Sequence, residues 1–224
     1  MRALAISDLA ARLRGLLLRW RSDARGIAAV EFAFIVPLMA VMFIGAVELS
    51  QVITINRRVD QVSSATADLV ARWSPASGAA SANGITQTEI TDVMKSGGYI
   101  MAPYSQNPLQ ITIRSVMSSP TSATSTKLWW SCTFNGTGSA LSCSCANSSL
   151  TVPSGLLGLL DDIVISQATY AYKPLVFDYF MKKGGGGTSN GTYTLSETTY
   201  LKPRNGNVNF VPTSGSPCPT PTFP

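Results

Sequence analysis

The chain has 224 residues, enough for one ordinary domain plus appendages. Only 13% of them are charged, and Gly, Ser, Thr, Asn and Pro are abundant, which points to a loop-rich, β-leaning body rather than a helical bundle. The formal charge is +5 with no histidine at all, so His-based triads, the usual zinc sites and the commonest general acid–base side chain are excluded together.

The basic excess lies in residues 1–26, where six arginines face only Asp8 and Asp23. Residues 27–224 carry a net of just +1, so no basic face for nucleic acid is implied. The leader MRALAISDLAARLRGLLLRWR places Leu4, Leu9, Leu13, Leu16, Leu17 and Trp20 near one helical face with arginines around much of the rest. That pattern suits a helix lying on a membrane surface.

GIAAVEFAFIVPLMAVMFIGAVE follows, residues 26–48. From Ile27 to Val47 every residue is apolar or small except Glu31. As a helix this run spans about 31 Å, matching the ~30 Å hydrocarbon core. It is longer than the apolar core of a secretory signal peptide. Arginines precede it and are sparse after it, which places the N-terminus in the cytoplasm and the remainder outside the inner membrane. Pro37 removes one helical hydrogen bond and crowds the carbonyl four residues back, so a kink or local melt is expected over residues 33–37. Glu31 has two readings on residues alone. It is either an interfacial carboxylate reaching headgroup water, or a functional charge of the kind that membrane spans seldom keep. Glu48 reads as an interfacial carboxylate at the other face. Beyond it, Leu49, Val52, Ile53, Asn56, Val59, Val62 and Leu69 keep helical spacing with no Pro or Gly until Pro75, so a single helix is expected to about Arg72, its outer half amphipathic.

SPASGAASANG then reads as a loop, and Thr86-Gln87-Thr88-Glu89 as a capping box opening a short helix that stops at Gly97-Gly98. Leu109, Ile111 and Ile113 alternate with polar residues as in a strand. Lys127–Phe134 and Ala140–Cys145 flank NGTGS as a hairpin, and Asp162–Lys173 and Thr192–Leu201 read as further strands. Leu175–Met181 reads as a short amphipathic helix, KKGGGGTSNG as a flexible loop, and residues 203–224 as irregular. Trp129 and Trp130 are expected to divide between core and surface, and Asp161-Asp162 to form a solvated turn rather than a metal or acid–base site. Cys132, Cys143, Cys145 and Cys218 read as structural disulfides in an oxidising compartment. Residues spaced as Cys143 and Cys145 are seldom bond to each other, so one of the two bridges to Cys132 and the other tethers Cys218. Both connectivities remain open.

Arg25-Gly26 followed by IAAVEF resembles the processing site of type IV pilin-like proteins, and RGIAAVEFAFIVPLM…GAVELS resembles the TadE-like minor pseudopilins of the tight-adherence (Flp-type) pilus. Phe32 stands where the major Flp pilins usually carry tyrosine. ATYAYKPLVFDYF (168–180) and LSETTYLKPRNG (195–206) are similar to C-terminal segments of that family. The N-terminal likeness covers about residues 25–72, and residues 76–160 align to nothing. The leader is long for the family. The resemblance implies cleavage between Gly26 and Ile27 by an aspartyl prepilin peptidase. It also implies pairing of the new Ile27 amine with Glu31 of a neighbouring subunit.

The expectation is an α+β protein. A basic leader, 1–26, is removed; a transmembrane and stalk helix, 27–73, leads to a small, mostly antiparallel periplasmic domain with short helices, 74–202, and an irregular tail, 203–224. The implied role is non-enzymatic and without cofactor or metal: a membrane-anchored minor pilin acting in pilus assembly. Its partners are other pilin and pseudopilin subunits, the prepilin peptidase, the inner-membrane assembly platform and membrane lipid, with no nucleic acid. The alternative is an uncleaved, membrane-anchored periplasmic scaffold or binding protein of the same machinery.

Overall fold

The structure is a computed structural model and describes residues 26–74, 84–136, 141–174, 192–213 and 215–223. The leader, the expected helix at 175–181 and the glycine loop that follows it lie outside the described residues. The chain divides into two compact units, Met1–Val47 and Glu48–Pro224. Helix α1 covers Ile27–Ala71 and its assignment continues through Pro37, so the chain is not melted there. Within the first unit the described side chains are almost all exposed; within the second, one face of α1 is buried.

The second unit is built on a five-stranded antiparallel sheet. Its strands are β2 (Leu109–Ser118), β3 (Thr126–Asn135), β4 (Leu141–Cys145), β5 (Asp162–Tyr172) and β6 (Tyr193–Leu201), in the order β4-β3-β2-β5-β6. Two-residue strands β1 (Ile85–Thr86) and β7 (Phe210–Val211) pair in parallel. The fold is thus α+β with a long N-terminal helix.

Register explains which face is buried. Ile111 lies opposite Phe134 and Ala168, Ile113 opposite Cys132 and Ser166, and Leu109 opposite Tyr170. Side chains alternate between faces along a strand, so these residues line one side of the sheet, and all are buried. Against them pack Ile55, Val59, Val62, Thr66 and Val70 of α1, spaced three and four apart on one helical face. Small residues let the helix come close: Ser63 Oγ donates to the Ser166 carbonyl at 2.9 Å, and the Thr66 and Ser166 hydroxyls share a 2.8 Å hydrogen bond. Asn56 Nδ2 donates to Glu197 on β6 at 2.9 Å. These buried polar atoms are satisfied, and their pairing fixes the helix lengthwise on the sheet.

Helix α2 (Gln87–Ile100) opens with the expected capping box: the Glu89 amide donates to Thr86 Oγ1, and Glu89 Oε2 accepts from the Thr86 amide at 2.7 Å. The helix does not stop at Gly97-Gly98 as the sequence suggested but runs on to Ile100. The glycines are there for contact. A Cβ at Gly97 would meet Thr66 Cγ2 at 2.7 Å and Ile111 Cδ1 at 3.2 Å, so α2 approaches α1 and β2 too closely for any side chain.

Two other expectations fail for identifiable reasons. Both Trp129 and Trp130 are buried, because the β2–β3 register shifts between Ser115 and Val116 and leaves Trp129 as the extra residue of a bulge. A bulge interrupts strict alternation. Asp162 is not in a solvated turn; it is the first residue of β5, 2% exposed, on the helix-facing side. The tail is irregular for most of its described length, yet it supplies the fully buried Phe210, whose ring centroid lies 5.7 Å from that of Trp130.

Candidate functional site

The first unit offers a segment rather than a pocket. Gly26 lies immediately before α1, and every described side chain from Ile27 to Ile44 is exposed. Phe34 is 79% exposed, and Ile27, Phe32, Met42 and Phe43 are all more than half exposed. Successive helical residues point 100° apart, so a run of exposed apolar side chains interrupted only by Glu31 covers the whole circumference. A helix that is apolar all round is stable only inside lipid or a ring of apolar neighbours. Its length and composition suffice to cross a membrane.

Glu31 is the only ionisable residue between Arg25 and Glu48. It lies four residues after Ile27, so the two share one helical face about 6 Å apart along the axis. Gly26 has no packing duty here: a Cβ built on it meets nothing within 4 Å among the described residues. Unlike Gly97, it is not explained by the internal packing. Phe32 and Pro37 lie within the same helix, and Val47 closes the first unit.

Glu48, expected at an interface, is instead buried in the second unit at 7% exposure. Its charge is one of the influences on Tyr172, whose hydroxyl is pushed up first by burial and then by Glu48 and Tyr104.

The four cysteines lie in the second unit. Cys132 pairs with Cys143, its direct cross-strand neighbour, and Cys145 pairs with Cys218 in the tail. The connectivity that the sequence left open is therefore settled, and no cysteine is free. Sequence reasoning missed the anchoring groups around the tail. The indole Nε1 of Trp130 donates to the Val208 carbonyl at 2.8 Å, that of Trp129 donates to the Cys218 carbonyl at 3.3 Å, and Asp162 Oδ2 accepts from the Val208 amide at 3.1 Å. A pair of adjacent tryptophans with a cysteine two residues on was the available signal. Without the bulge it could not be read. Among the described residues no three acidic or cysteine side chains cluster as metal ligands.

The arrangement defines a class: among the described residues, one helix near the N-terminus is long and apolar enough to anchor the chain in a membrane, and it is joined to a disulfide-bonded sheet domain. Residues 26–68 match the family described as TadE-like protein. The match takes in nearly all of α1 and none of the sheet. A TadE-like domain marks a component associated with the tight-adherence (Tad) pilus, structural or assembly-related rather than enzymatic, whose working contacts are with other pilus proteins. No curated protein and no solved structure matches the chain.

Proposed function

We propose that the chain is a minor pilin, a pseudopilin, of the tight-adherence pilus: held in the inner membrane by α1 with its sheet domain in the periplasm, cut between Gly26 and Ile27, and registered against its neighbours by Glu31. The observation that carries this reading is the 26–31 segment. A glycine with no packing role among the described residues is followed by an exposed apolar stretch, Ile27–Ile44, whose single charge falls one turn after Ile27.

The physics is direct. Cleavage frees an α-amine on Ile27, cationic at neutral pH because such groups titrate near 8. Inside a bundle of apolar helices an uncompensated charge is costly, and so is an uncompensated Glu31. Pairing the amine of one subunit with Glu31 of the next satisfies both and fixes the axial step between them. The exposed aromatic and branched side chains around the helix supply the packing. A glycine at 26 leaves the scissile backbone open to a peptidase, here the aspartyl prepilin peptidase, and the assembly platform would receive the processed subunit.

Glu31→Gln tests the registry. It keeps shape and removes the charge. Truncating one partner of a buried pair costs about 3–5 kcal/mol, more than a hundredfold in subunit affinity. Pilus counts by electron microscopy are expected to collapse while the protein still accumulates in the membrane fraction. Normal pili in the Glu31→Gln strain would remove Glu31 from the mechanism.

A further inference from the structure

The C-terminal segment lies along the sheet domain and buries few of its own side chains. Among the described residues of 203–223, only Val208, Phe210, Cys218 and Pro221 are buried. It crosses the end of α1, where the Arg204 amide donates to the Ala71 carbonyl at 2.8 Å and the Arg204 guanidinium pairs with Asp68 at 3.0 Å. Two residues then pair as β7 with β1, and the two indoles and Asp162 reach into the segment between Val208 and Cys218. Ordering some twenty residues is expensive in conformational entropy, and the segment's remaining contacts, such as Thr213 with Gln87 and Asn147 with Thr222, are exposed polar ones that water can replace.

The two disulfides differ in what they add. Cys132 and Cys143 are already neighbours in a ladder of five paired residues, and Cys132 is fully buried. Their bridge staples a hairpin that hydrogen bonds hold anyway. Cys145 and Cys218 are 73 residues apart in sequence. Cys145 is exposed on β4, the outermost strand on its side of the sheet, whereas Cys218 is buried with the tail. Cys143 is half-buried where Cys145 is exposed, so the second bridge is the more accessible of the two to a soluble redox partner, and it alone ties the tail down covalently.

We infer that the Cys145–Cys218 disulfide is a redox latch: the tail docks and completes the core beneath Trp129 and Trp130 only once this bridge is oxidised, whereas the sheet folds without it. The closing step is thiol–disulfide exchange with a dithiol–disulfide oxidant of the compartment. The Cys145 thiolate attacks a sulfur of the oxidant's disulfide and forms a mixed disulfide. The Cys218 thiolate then attacks the Cys145 sulfur, forming the protein disulfide and releasing the oxidant as a dithiol. Two electrons and two protons pass from the cysteines to the oxidant. This goes beyond the pilus reading and rests on it only for the oxidising compartment.

Purified full-length protein in detergent micelles supplies the test, so failure here is separate from failure of the pilus reading. The protein is titrated with dithiothreitol. Alkylation and mass spectrometry score each bridge, chymotryptic cleavage after Phe210 scores tail release, and far-UV circular dichroism scores the sheet. The latch predicts that Cys145–Cys218 is reduced first. Cleavage after Phe210 then accelerates at least tenfold while the sheet signal persists, and the Cys132→Ser, Cys143→Ser double variant keeps Phe210 protected. Continued protection of Phe210 after reduction of Cys145–Cys218 would overturn the inference. Loss of the sheet in the same step as the tail would overturn it equally. Because the titration uses the native sequence, it decides the matter even if a Cys145→Ser, Cys218→Ser variant does not accumulate.

Discussion

Asp162 and its neighbour Asp161 show how one residue's displacement along a strand changes its chemistry. Asp161 precedes β5. Partial burial pushes its pKa up, but the ion pair with Lys202 and the Gly158 amide at 3.0 Å outweigh that and hold it below the usual value. Asp162 begins the strand facing the core, where burial dominates. Its pKa is pushed up to about 6, with the Val208 amide pulling it down and the Asp161 charge adding to the rise. A carboxyl whose folded pKa exceeds its unfolded value binds its proton more tightly when folded. Its contribution to stability is full below about pH 4 and is lost as pH rises toward 6, by on the order of 3 kcal/mol. Asp161 acts in the opposite sense and at lower pH, so the two windows do not overlap. Asp162→Asn is expected to abolish the decline between pH 4 and 6, seen as denaturation midpoints that stay level across that range. A slope unchanged from the parent protein would assign it to another group. The strand start at Asp162 was readable from the sequence, but the burial of its side chain was not, because the face a strand residue takes is set by register with its neighbours rather than by local composition.

Among the elements, α2 combines what was legible with what was not. Its start was readable because a capping box is a local arrangement of four residues. Thr86→Ala is expected to cost about 1 kcal/mol, measurable as a shift in the thermal midpoint of the domain; an unchanged midpoint would mean the cap is redundant with the β1–β7 pairing. Its end was not readable, because Gly97 and Gly98 have the signature of a stop and serve as a contact. Gly97→Val would force Thr66, which donates to the Val62 carbonyl at 2.7 Å and cannot turn freely. The expected penalty is about 1–3 kcal/mol of overpacking, again read in the thermal midpoint, and a tolerated valine would show that α2 can lift off α1. The strands followed their alternation in sequence until the bulge at Trp129, where one extra residue turned a second tryptophan inward. A bulge leaves no mark in composition. Disulfide pairing was hidden in a similar way: Cys143 and Cys145 face the same side, and only the direct pairing of Cys132 with Cys143 decides between them.

The whole molecule divides its labour at Val47. Among the described residues, the unit beginning at Glu48 buries most of its apolar side chains internally and pairs its buried side-chain polar atoms except Ser115 Oγ; the described part of the unit before it buries nothing. That contrast was legible in the sequence as a long apolar run with one carboxylate, and so was the TadE-like likeness, because both reside in contiguous residues. The sheet domain resembled nothing over residues 76–160, and its architecture became visible only through long-range pairing of strands far apart in the chain. On the proposed function, this molecule is made as a precursor and matures by a single cut. Intact mass and N-terminal sequencing of the protein isolated from its native membrane test it most directly. Pilin-type processing predicts a chain beginning at Ile27, with a free amine one helical turn from Glu31. A chain beginning at Met1 would contradict it, leaving Glu31 an interfacial carboxylate and the protein a permanently anchored scaffold of the pilus machinery.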